Sequence, residues 1–353
     1  MSAPLRTEIH DGIGPIADEW EDLAEQTGAS PFRRPGWFEP WWRAFGSGNL
    51  QVFTVRRNGR LAAVVPLVRR GGGLASPTNW HTPEFGIVAA DEEAAGALVG
   101  AVLAQEPKRL SIAFIDRAGD DFARFRGAAA AAGYLQHTRT LELSPFVAID
   151  REWEDYLQTV RKHRRENRRR RLRRLGEVGD VAFESQAPAD RLDELLAEGF
   201  EIEASGWKRE QGTAIVSRPE TLAFYTEVAR WAAERGWLRL HFLRVGGRPI
   251  AFELDLTHGG TSWDLKGGYD PEFRQYAPGF LITFEILASL FAQGASTYEL
   301  GGADEPFKRE FTQTNRQRVL FEAFARSPVG AVGWAARAYA RPLAKRAVSV
   351  VRR

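Results

Sequence analysis

Residues 238–292 carry the pattern from which the architecture of the second half of the chain follows: LRLHFLRVGG RPIAFELDLT HGGTSWDLKG GYDPEFRQYA PGFLITFEIL ASLFA. Three runs rich in apolar and β-branched residues predict strands over 238–245, 249–257 and 261–267. Gly pairs at 246–247 and 259–260 separate these runs, and glycine supplies the positive φ that tight hairpin turns need. The stretch therefore predicts a three-stranded antiparallel meander.

An apolar helix is predicted directly after the meander, over 278–292. Pro278 needs no hydrogen-bond partner in the first turn, and Gly279 lets a ligand approach the backbone. A helix N-terminus presents unpaired N–H groups and a partial positive charge, so this loop could hold a pyrophosphate. A strand over 297–300, a helix start over 304–311 and a strand over 317–324 complete the order β-β-β-α-β-α-β.

The rest of the chain also alternates the two kinds of element, and 353 residues are enough for two domains. Helices are predicted over 13–25, 35–45, 92–105, 121–133, 151–176, 189–205 and 219–235. Strands are predicted over 51–57, 61–69, 109–115 and 138–149. Asn58-Gly59 predicts a hairpin turn between two of these strands. Four aromatic residues of the second helix share a face and are predicted to be core: Trp37, Phe38, Trp41 and Trp42.

Composition excludes several kinds of site. The chain has no cysteine, which removes disulfides, thiolate nucleophiles and iron–sulfur clusters. Its six histidines never lie three or four residues apart, so no two share a helix face in the manner of a metal hydrolase. We therefore predict no metal site. No run of eighteen uncharged apolar residues and no secretory signal is present, so a cytoplasmic location is expected.

The positive charge is concentrated in two segments. Residues 161–174 contain nine Arg and one Lys against one Glu, and residues 327–353 contain six basic residues and no acid. The remainder of the chain holds 32 basic and 45 acidic residues. Such a distribution is typical of a site for an anionic partner.

The loop before the apolar helix resembles the acyl-CoA-binding loop of the Gcn5-related N-acetyltransferases, whose pattern is Arg/Gln-x-x-Gly-x-Gly/Ala. The matching residues are Arg274, Gln275, Tyr276, Ala277, Pro278 and Gly279, with Ala277 in place of the first Gly. The resemblance implies that these residues bind the cofactor.

Three further stretches resemble the CelD-like, or cellulose-biosynthesis-type, acetyltransferases, a group similar in turn to the Fem aminoacyl-tRNA-dependent transferases. They begin at Glu203-Ala-Ser-Gly-Trp207-Lys208, at Leu265-Lys266-Gly-Gly-Tyr269-Asp270 and at Tyr298-Glu299-Leu-Gly301-Gly302, the last continuing to Pro306-Phe-Lys308 and Phe311. The resemblance covers about residues 15–326, and its specific motifs lie in the second half.

An α/β (α+β) fold of tandem Gcn5-related acetyltransferase domains follows from this resemblance, each domain a mixed, mostly antiparallel sheet flanked by helices. Residues 1–150 would be a degenerate N-terminal copy. Residues 151–326 would be the domain with the acyl-CoA loop. Residues 327–353 would form a basic amphipathic C-terminal helix.

The implied activity is that of an acyl-CoA-dependent N-acyltransferase, an enzyme that passes an acyl group, such as acetyl, from a CoA thioester to a primary amine by direct attack. Acetyl-CoA or another acyl-CoA would be the co-substrate, and the acceptor a small molecule or an envelope-precursor amine. Two alternatives stay open. One is a Fem-like aminoacyl-tRNA-dependent transferase, and the other is a non-catalytic binding protein on the same fold.

Direct attack by an amine needs a base and a donor to the developing oxyanion, but no covalent enzyme intermediate. The candidate bases are Glu299 and Asp264, beside the predicted cofactor loop, ahead of Glu253 and Glu203. Strand alternation places Asp264 and Lys266 on one face. Five residues are predicted to contact substrate: Trp207, Lys208, Lys266, Tyr269 and Lys308. In the first domain, the loop over 79–84 is assigned to substrate contact or to a plain surface loop.

The two basic segments have open alternatives. Residues 161–174 have charge on every helix face. They either bind a phosphate or pair with acids of the same chain. The phosphate would belong to a small substrate or, less favoured, to tRNA. The segment 327–353 either packs on the second domain or makes peripheral contact with the inner membrane surface.

Overall fold

The computed structural model describes residues 4–160, 162–186, 190–205 and 212–340, with only the backbone at 162–165, 186 and 340. Within these ranges the chain forms two compact units. The first contains residues 4–42, 46–143 and 316–340, and the second contains residues 43–45 and 144–315. These are compact groupings, and the functional division at 150 and 326 stays a prediction.

The strands and helices alternate along the chain. The strands are β1 Leu5–His10, β2 Asn49–Arg57, β3 Arg60–Arg70, β4 Gly73–Ala75, β5 Val88–Ala89, β6 Arg109–Asp116, β7 Leu135–Ala148, β8 Val181–Gln186, β9 Leu238–Val245, β10 Arg248–His258, β11 Thr261–Tyr269, β12 Thr297–Glu299 and β13 Asn315–Phe324. The helices are α1 Ala17–Gln26, α2 Pro35–Phe45, α3 Glu92–Leu103, α4 Asp120–Ala131, α5 Trp153–Thr159, α6 Lys162–Gly176, α7 Leu192–Glu203, α8 Pro219–Glu234, α9 Pro278–Ala292 and α10 Pro328–Ala335.

The first unit is built on a sheet in the order β1-β2-β3-β4-β6-β13, with β5 paired to β3. The strand pairs β1–β2, β2–β3, β3–β4, β3–β5 and β6–β13 are antiparallel, and β4–β6 is parallel. Strand β3 is buried over eight successive residues, and α3 and α4 contribute apolar faces to a common core. Trp37, Phe38 and Trp41 are buried, which confirms that the aromatic stripe of α2 belongs to a core.

The second unit has the sheet order β12-β11-β10-β9-β8, with the last residues of β7 paired to β12. The pairs are antiparallel except β11 with β12. The predicted meander is therefore confirmed as β9, β10 and β11. Helix α9 is apolar nearly all round because it is buried against this sheet. Each unit is thus a mixed, mostly antiparallel sheet flanked by helices, as predicted.

Some predicted elements were wrong in detail. The single helix expected over 151–176 is two helices, because Val160 at the end of α5 is extended, with ψ 124°. The helix start expected over 304–311 is only a turn of 3₁₀ helix at Lys308–Glu310. The short strands β1, β4, β5 and β8 were missed, since short and half-exposed runs give weak periodicity. Within the described ranges, none of the helices combines the length and apolar character that crossing a bilayer requires.

Candidate functional site

The predicted cofactor loop reverses the chain sharply before α9. Residues Pro271–Tyr276 form a 3₁₀ helix, capped by Asp270, whose carboxylate accepts a hydrogen bond of 2.9 Å from the Glu272 N–H. Ala277 then adopts the left-handed conformation, with φ 50° and ψ 59°. An L-residue pays roughly 1–2 kcal/mol for this conformation, which glycine adopts freely. The family pattern has Gly at this position, and the backbone conformation explains why.

The start of α9 leaves backbone donors available. Pro278 has no N–H, and no side chain within the described residues caps the helix. The N–H groups of Gly279 and Phe280 therefore face outward from the first turn, where the helix dipole favours an anion. A Cβ at Gly279 would lie 3.5 Å from Cδ1 of Tyr269. The structure thus places Tyr269, which is 37% exposed, beside the cofactor loop.

Helix α6 lies along α9 and packs arginines on its aromatic rings. The distances from guanidinium carbon to ring centroid are 4.5 Å for Arg168 on Phe284, 5.7 Å for Arg171 on Phe280 and 5.4 Å for Arg174 on Tyr276. Arg168 also forms an ion pair with Glu285. Three arginines spaced three residues apart therefore make one packed face by cation–π contact. The C-terminal end of α6 reaches the cofactor loop at Tyr276.

The opposite side of α6 exposes its charge. Arg169, Arg170 and Arg173 are exposed, and none forms an ion pair with a described residue. Arg170 donates instead to the Asn167 side chain at 2.9 Å. Internal pairing therefore does not account for these three charges. Arg161 and the side chains of 162–165 lie outside what the structure describes.

Strands β11 and β12 pair over only three residues, Thr261–Trp263 with Thr297–Glu299, although β11 continues to Tyr269. Glu299 lies in the last pair and is 4% exposed, and Asp264 follows directly and is half-buried. Side chains alternate along a strand, so these two carboxylates point to opposite faces of the sheet. The structure does not bring the two candidate bases together on one face.

Asp264 instead joins two other carboxylates. Oxygen atoms of Glu253, Asp255 and Asp264 lie within 4.8 Å of one another, a spacing that a metal ion could also use. Burial raises the pKa of Glu253 well above its usual range, and the charges of Asp264 and Asp255 raise it further. The sequence does signal two of the three, since Glu253 and Asp255 are two residues apart on β10 and share a face.

Hydroxyl groups surround this cluster. The Thr283 hydroxyl of α9 lies at a hydrogen-bond distance of 2.6 Å from Oε1 of Glu253, and Tyr298 of β12 donates a hydrogen bond of 3.0 Å to Oε2. Ser262 donates to Oδ2 of Asp255 at 3.2 Å. Thr283 and Tyr298 were not foreseen from the sequence, because only the packing of α9 on the sheet and the pairing of β12 with β11 bring them to Glu253.

The expectation that Asp264 and Lys266 share a face was wrong. The β10–β11 register shifts between Leu254 and Asp255, so Leu254 pairs with Lys266 while Asp255 pairs with Asp264. This β-bulge adds one residue to β11 and turns the two side chains to opposite sides. The Lys266 ammonium lies 5.3 Å from the ring centroid of Tyr225 on α8. Lys266 is therefore beside α8, and Asp264 is beside the residues that contact α9.

The other predicted residues have separate surroundings. Lys308 is buried, and its ammonium donates to the Gly301 carbonyl at 2.7 Å, which holds the turn after β12. The buried Glu203 accepts a hydrogen bond of 2.9 Å from the Ile215 N–H. Trp207 and Lys208 lie outside the described residues.

In the first unit, partly buried hydrogen bonds hold the loop over 79–84 in place. The Asn79 side chain accepts from the His81 N–H at 2.9 Å and from the Trp41 indole at 3.1 Å. Glu84 accepts from Ser30 at 2.5 Å and from Arg33 at 3.2 Å, and Arg318 lies 3.4 Å away. Burial alone would raise the pKa of Glu84, but the arginines outweigh it and lower the pKa to about 2.

The sequence of the second unit matches a known family. The model of the family described as "Acetyltransferase (GNAT) domain" matches residues 162–309. This match begins at α6 and includes the meander, the cofactor loop and α9. Residues 162–309 form a GNAT-type acetyltransferase domain. No curated protein matches the chain.

Solved structures share the fold over nearly the whole chain. FemX superposes with a TM-score of 0.59 at 14% identity, over 92% of this chain and 99% of FemX. The C-terminal domain (DUF2156) of a lysylphosphatidylglycerol synthetase candidate from Agrobacterium fabrum gives 0.57 at 14% identity, over 91% and 95%. A conserved protein from Bacteroides thetaiotaomicron gives 0.56 at 13% identity, over 90% and 100%. At these identities the likeness shows the fold alone.

Proposed function

We propose that the protein is an N-acyltransferase that transfers an acyl group, in the simplest case acetyl, from a CoA thioester to a primary amine. The observation that carries this proposal is the uncapped first turn of α9, preceded by the left-handed Ala277. That turn offers N–H groups to a pyrophosphate. Arg274, Gln275, Tyr276, Ala277, Pro278 and Gly279 are the residues we assign to the cofactor, acetyl-CoA or another acyl-CoA.

The exposed arginines of α6 support a phosphate-bearing donor. Arg174 lies over Tyr276 of the loop, and Arg173 and Arg170 extend the positive charge away from it. When the donor is bound at the first turn of α9, its further phosphates would therefore lie against this charged side of α6. Attraction of this kind weakens as salt screens it.

The separated ends of β11 and β12 suit the reacting groups. Asp264 is the base we favour on geometry, because it lies directly beyond the last β11–β12 pair and belongs to the carboxylate cluster. It would accept the proton that the ammonium of the acceptor loses before its nitrogen attacks the thioester carbon. The C–S bond then breaks, and the thiolate leaves and takes up a proton. Glu299, on the opposite face, stays a second candidate for the base.

The acceptor would enter near Tyr225. The Lys266 ammonium lies 5.3 Å from the ring of Tyr225, and the charge of Asp264, after burial and the charge of Glu203, raises the pKa of that tyrosine. We assign Lys266, Tyr269, Trp207, Lys208 and Lys308 to acceptor binding, with Lys308 acting from its buried position by holding the Gly301 turn. The acceptor class we propose is a small-molecule amine or an envelope-precursor amine, as in CelD-like acetyltransferases. Its site would be in the cytoplasm, with peripheral contact at the inner membrane surface through residues 327–353.

A second candidate function is transfer from an aminoacyl-tRNA. Its support is the shared fold with FemX and the exposed charge of α6. A non-catalytic binding protein on the same fold is the third candidate. The donor that binds distinguishes all three.

Isothermal titration with acetyl-CoA tests the proposal. We expect micromolar binding that is lost in Gly279→Trp, because an indole there would fill the space in front of the first turn. Gly127→Trp is the matched control, since Gly127 is exposed on α4 with nothing within 4 Å of a Cβ. Absence of binding to any CoA ester would contradict the proposal. Binding of charged tRNA in that case would favour the Fem-like alternative.

A further inference from the structure

The buried carboxyl of Glu253 has a hydrogen-bond arrangement that an ionised group does not complete. Its side chain is 6% exposed and connects three elements, since Thr283 is on α9 and Tyr298 on β12. The Thr283 hydroxyl lies 2.6 Å from Oε1 of Glu253 and also 2.9 Å from the Gly279 carbonyl. It has one hydrogen, so it can donate to only one of these two oxygens.

A proton on Glu253 resolves this count. With the proton on Oε1, Glu253 donates to the Thr283 oxygen, and Thr283 donates to the Gly279 carbonyl. The Tyr298 hydroxyl donates to Oε2 in the same arrangement. Each of the three short oxygen–oxygen contacts then has a hydrogen between its two oxygens. If Glu253 is ionised, either the 2.6 Å or the 2.9 Å contact has no hydrogen.

The charged groups around Glu253 favour the same protonation state. Asp255 of β10 and Asp264 of β11 lie within 4.8 Å. On β9, His241 pairs with Glu253 across the two strands, and its Nε2 lies 3.6 Å from Oδ2 of Asp255. The titratable residue of α9 is Glu285, bound to Arg168, and Glu203 of α7 is bound to the Ile215 N–H. Two buried carboxylates this close resist being charged together.

We propose that Glu253 is a positioning residue, held as a neutral carboxylic acid, that joins the carboxylate cluster of Asp264 to the first turn of α9 through Thr283 and the Gly279 carbonyl. The proton removes one negative charge from the neighbourhood of Asp264, and the hydrogen bonds fix the turn to which we assign the pyrophosphate. This inference rests on the proposed function for its consequence in catalysis, but the protonation state of Glu253 is a property of the protein alone.

Difference infrared spectroscopy tests the protonation state without any substrate. At pH 7 the wild-type protein is expected to show the carbonyl band of a protonated carboxylic acid, shifted in D₂O, and Glu253→Gln is expected to lack it. Glu84→Gln is the matched control and should keep the band, because the pKa of Glu84 is lowered. A wild-type spectrum without this band would overturn the proposal. So would a band removed by adding Ca²⁺ or Mn²⁺, since the cluster would then be a metal site.

Variants of Thr283 test the link to α9. Thr283→Val should weaken acetyl-CoA binding about fivefold, the worth of one ordinary hydrogen bond, and Thr283→Ser should restore it. The infrared band should persist in both variants. Equal affinity in Thr283→Val and wild type would overturn the link. If no CoA ester binds to the wild type, the proposed function fails while the infrared result still decides the state of Glu253. In that case the link is tested by amide hydrogen exchange of Leu281, whose N–H donates to the Ala277 carbonyl in the first turn of α9 and should exchange faster in Thr283→Val than in Thr283→Ser.

Discussion

Two glutamates of this protein, Glu84 with 15% of its side chain exposed and Glu253 with 6% of the residue exposed, have opposite kinds of partner. In the first unit, Glu84 is surrounded by Arg33 and Arg318, and its pKa falls to about 2. In the second unit, Glu253 contacts hydroxyl groups and other acids, and its pKa rises well above the usual range. A carboxylate fixed by arginines keeps its charge at every physiological pH. A carboxyl fixed by hydroxyls can hold a proton, which suits a group next to acid–base chemistry.

The same distinction applies to the arginines of α6. Arg168, Arg171 and Arg174 cover aromatic rings, and Arg168 is also paired with Glu285. Arg169 and Arg173 are exposed to solvent without an ion pair among the described residues. A charge whose contacts are complete within the chain supports the fold, and one without such contacts remains available to a ligand.

The largest expected effect distinguishes the two glutamates directly. Glu84→Gln should lower the free energy of unfolding by about 3–5 kcal/mol, because it removes one partner of a buried ion pair and leaves Arg33 and Arg318 undercompensated. Glu253→Gln should not lower it, since an amide reproduces the hydrogen bonds of the neutral acid and does not have to take up a proton at pH 7. Urea unfolding at pH 7 measures both. Equal losses in the two variants would remove the distinction.

The pH dependence of stability should have opposite signs for the two residues. A carboxyl whose pKa is lowered by folding stabilises the folded state at pH values above its unfolded pKa. The contribution of Glu84, about 3 kcal/mol, is therefore present at pH 7 and is lost as pH falls from 4.5 towards 2. A carboxyl whose pKa is raised by folding stabilises the folded state fully only at pH values below its unfolded pKa. The wild type should therefore lose stability relative to Glu253→Gln as pH rises above 4.5. Unfolding curves of wild type and both variants from pH 3 to 8, chosen to bracket about 4.5, measure this. Parallel pH profiles would contradict it.

Adjacent arginines of α6 should differ in their effect on stability. Arg168→Ala loses a ring contact and an ion pair with Glu285, so we expect about 1–2 kcal/mol of destabilisation. Arg169→Ala, one residue away and exposed, should cost less than about 0.5 kcal/mol. Thermal unfolding of the two variants side by side makes the measurement. A large loss in Arg169→Ala would mean that this side of α6 is also packed.

The last expected effect is on ligand affinity. The double change of Arg169→Glu and Arg173→Glu should weaken acetyl-CoA binding by about 1–2 kcal/mol at low salt and make the affinity less dependent on salt. Arg126→Glu on α4, an exposed arginine of the first unit, is the control and should leave binding unchanged. Titrations at two salt concentrations provide the test. Unchanged binding in the double variant would assign these charges to another partner.

Much of the fold was predictable because its signals are local. The Gly pairs that separate the strands within 238–269 predicted the meander, and Pro278 predicted the start of α9. The position of Ala277 could be named from the loop pattern, but its left-handed conformation is known only from the structure. Long-range contacts were not predictable. The bulge between Leu254 and Asp255 separates Lys266 from Asp264, and a one-residue shift in register leaves no trace in hydrophobic alternation.

The sequence by itself determined the strand order of the meander, the apolar helix with its open N-terminus and the concentration of charge at 161–174, since turns, caps and charge density depend on neighbours in the chain. Only the tertiary structure decided which of those charges are used. It placed Arg168, Arg171 and Arg174 on aromatic rings, and it gathered Glu253, Asp255 and Asp264 beneath Thr283 and Tyr298. The reason is physical: the ionisation of a buried group depends on burial and on partners that come from distant parts of the chain.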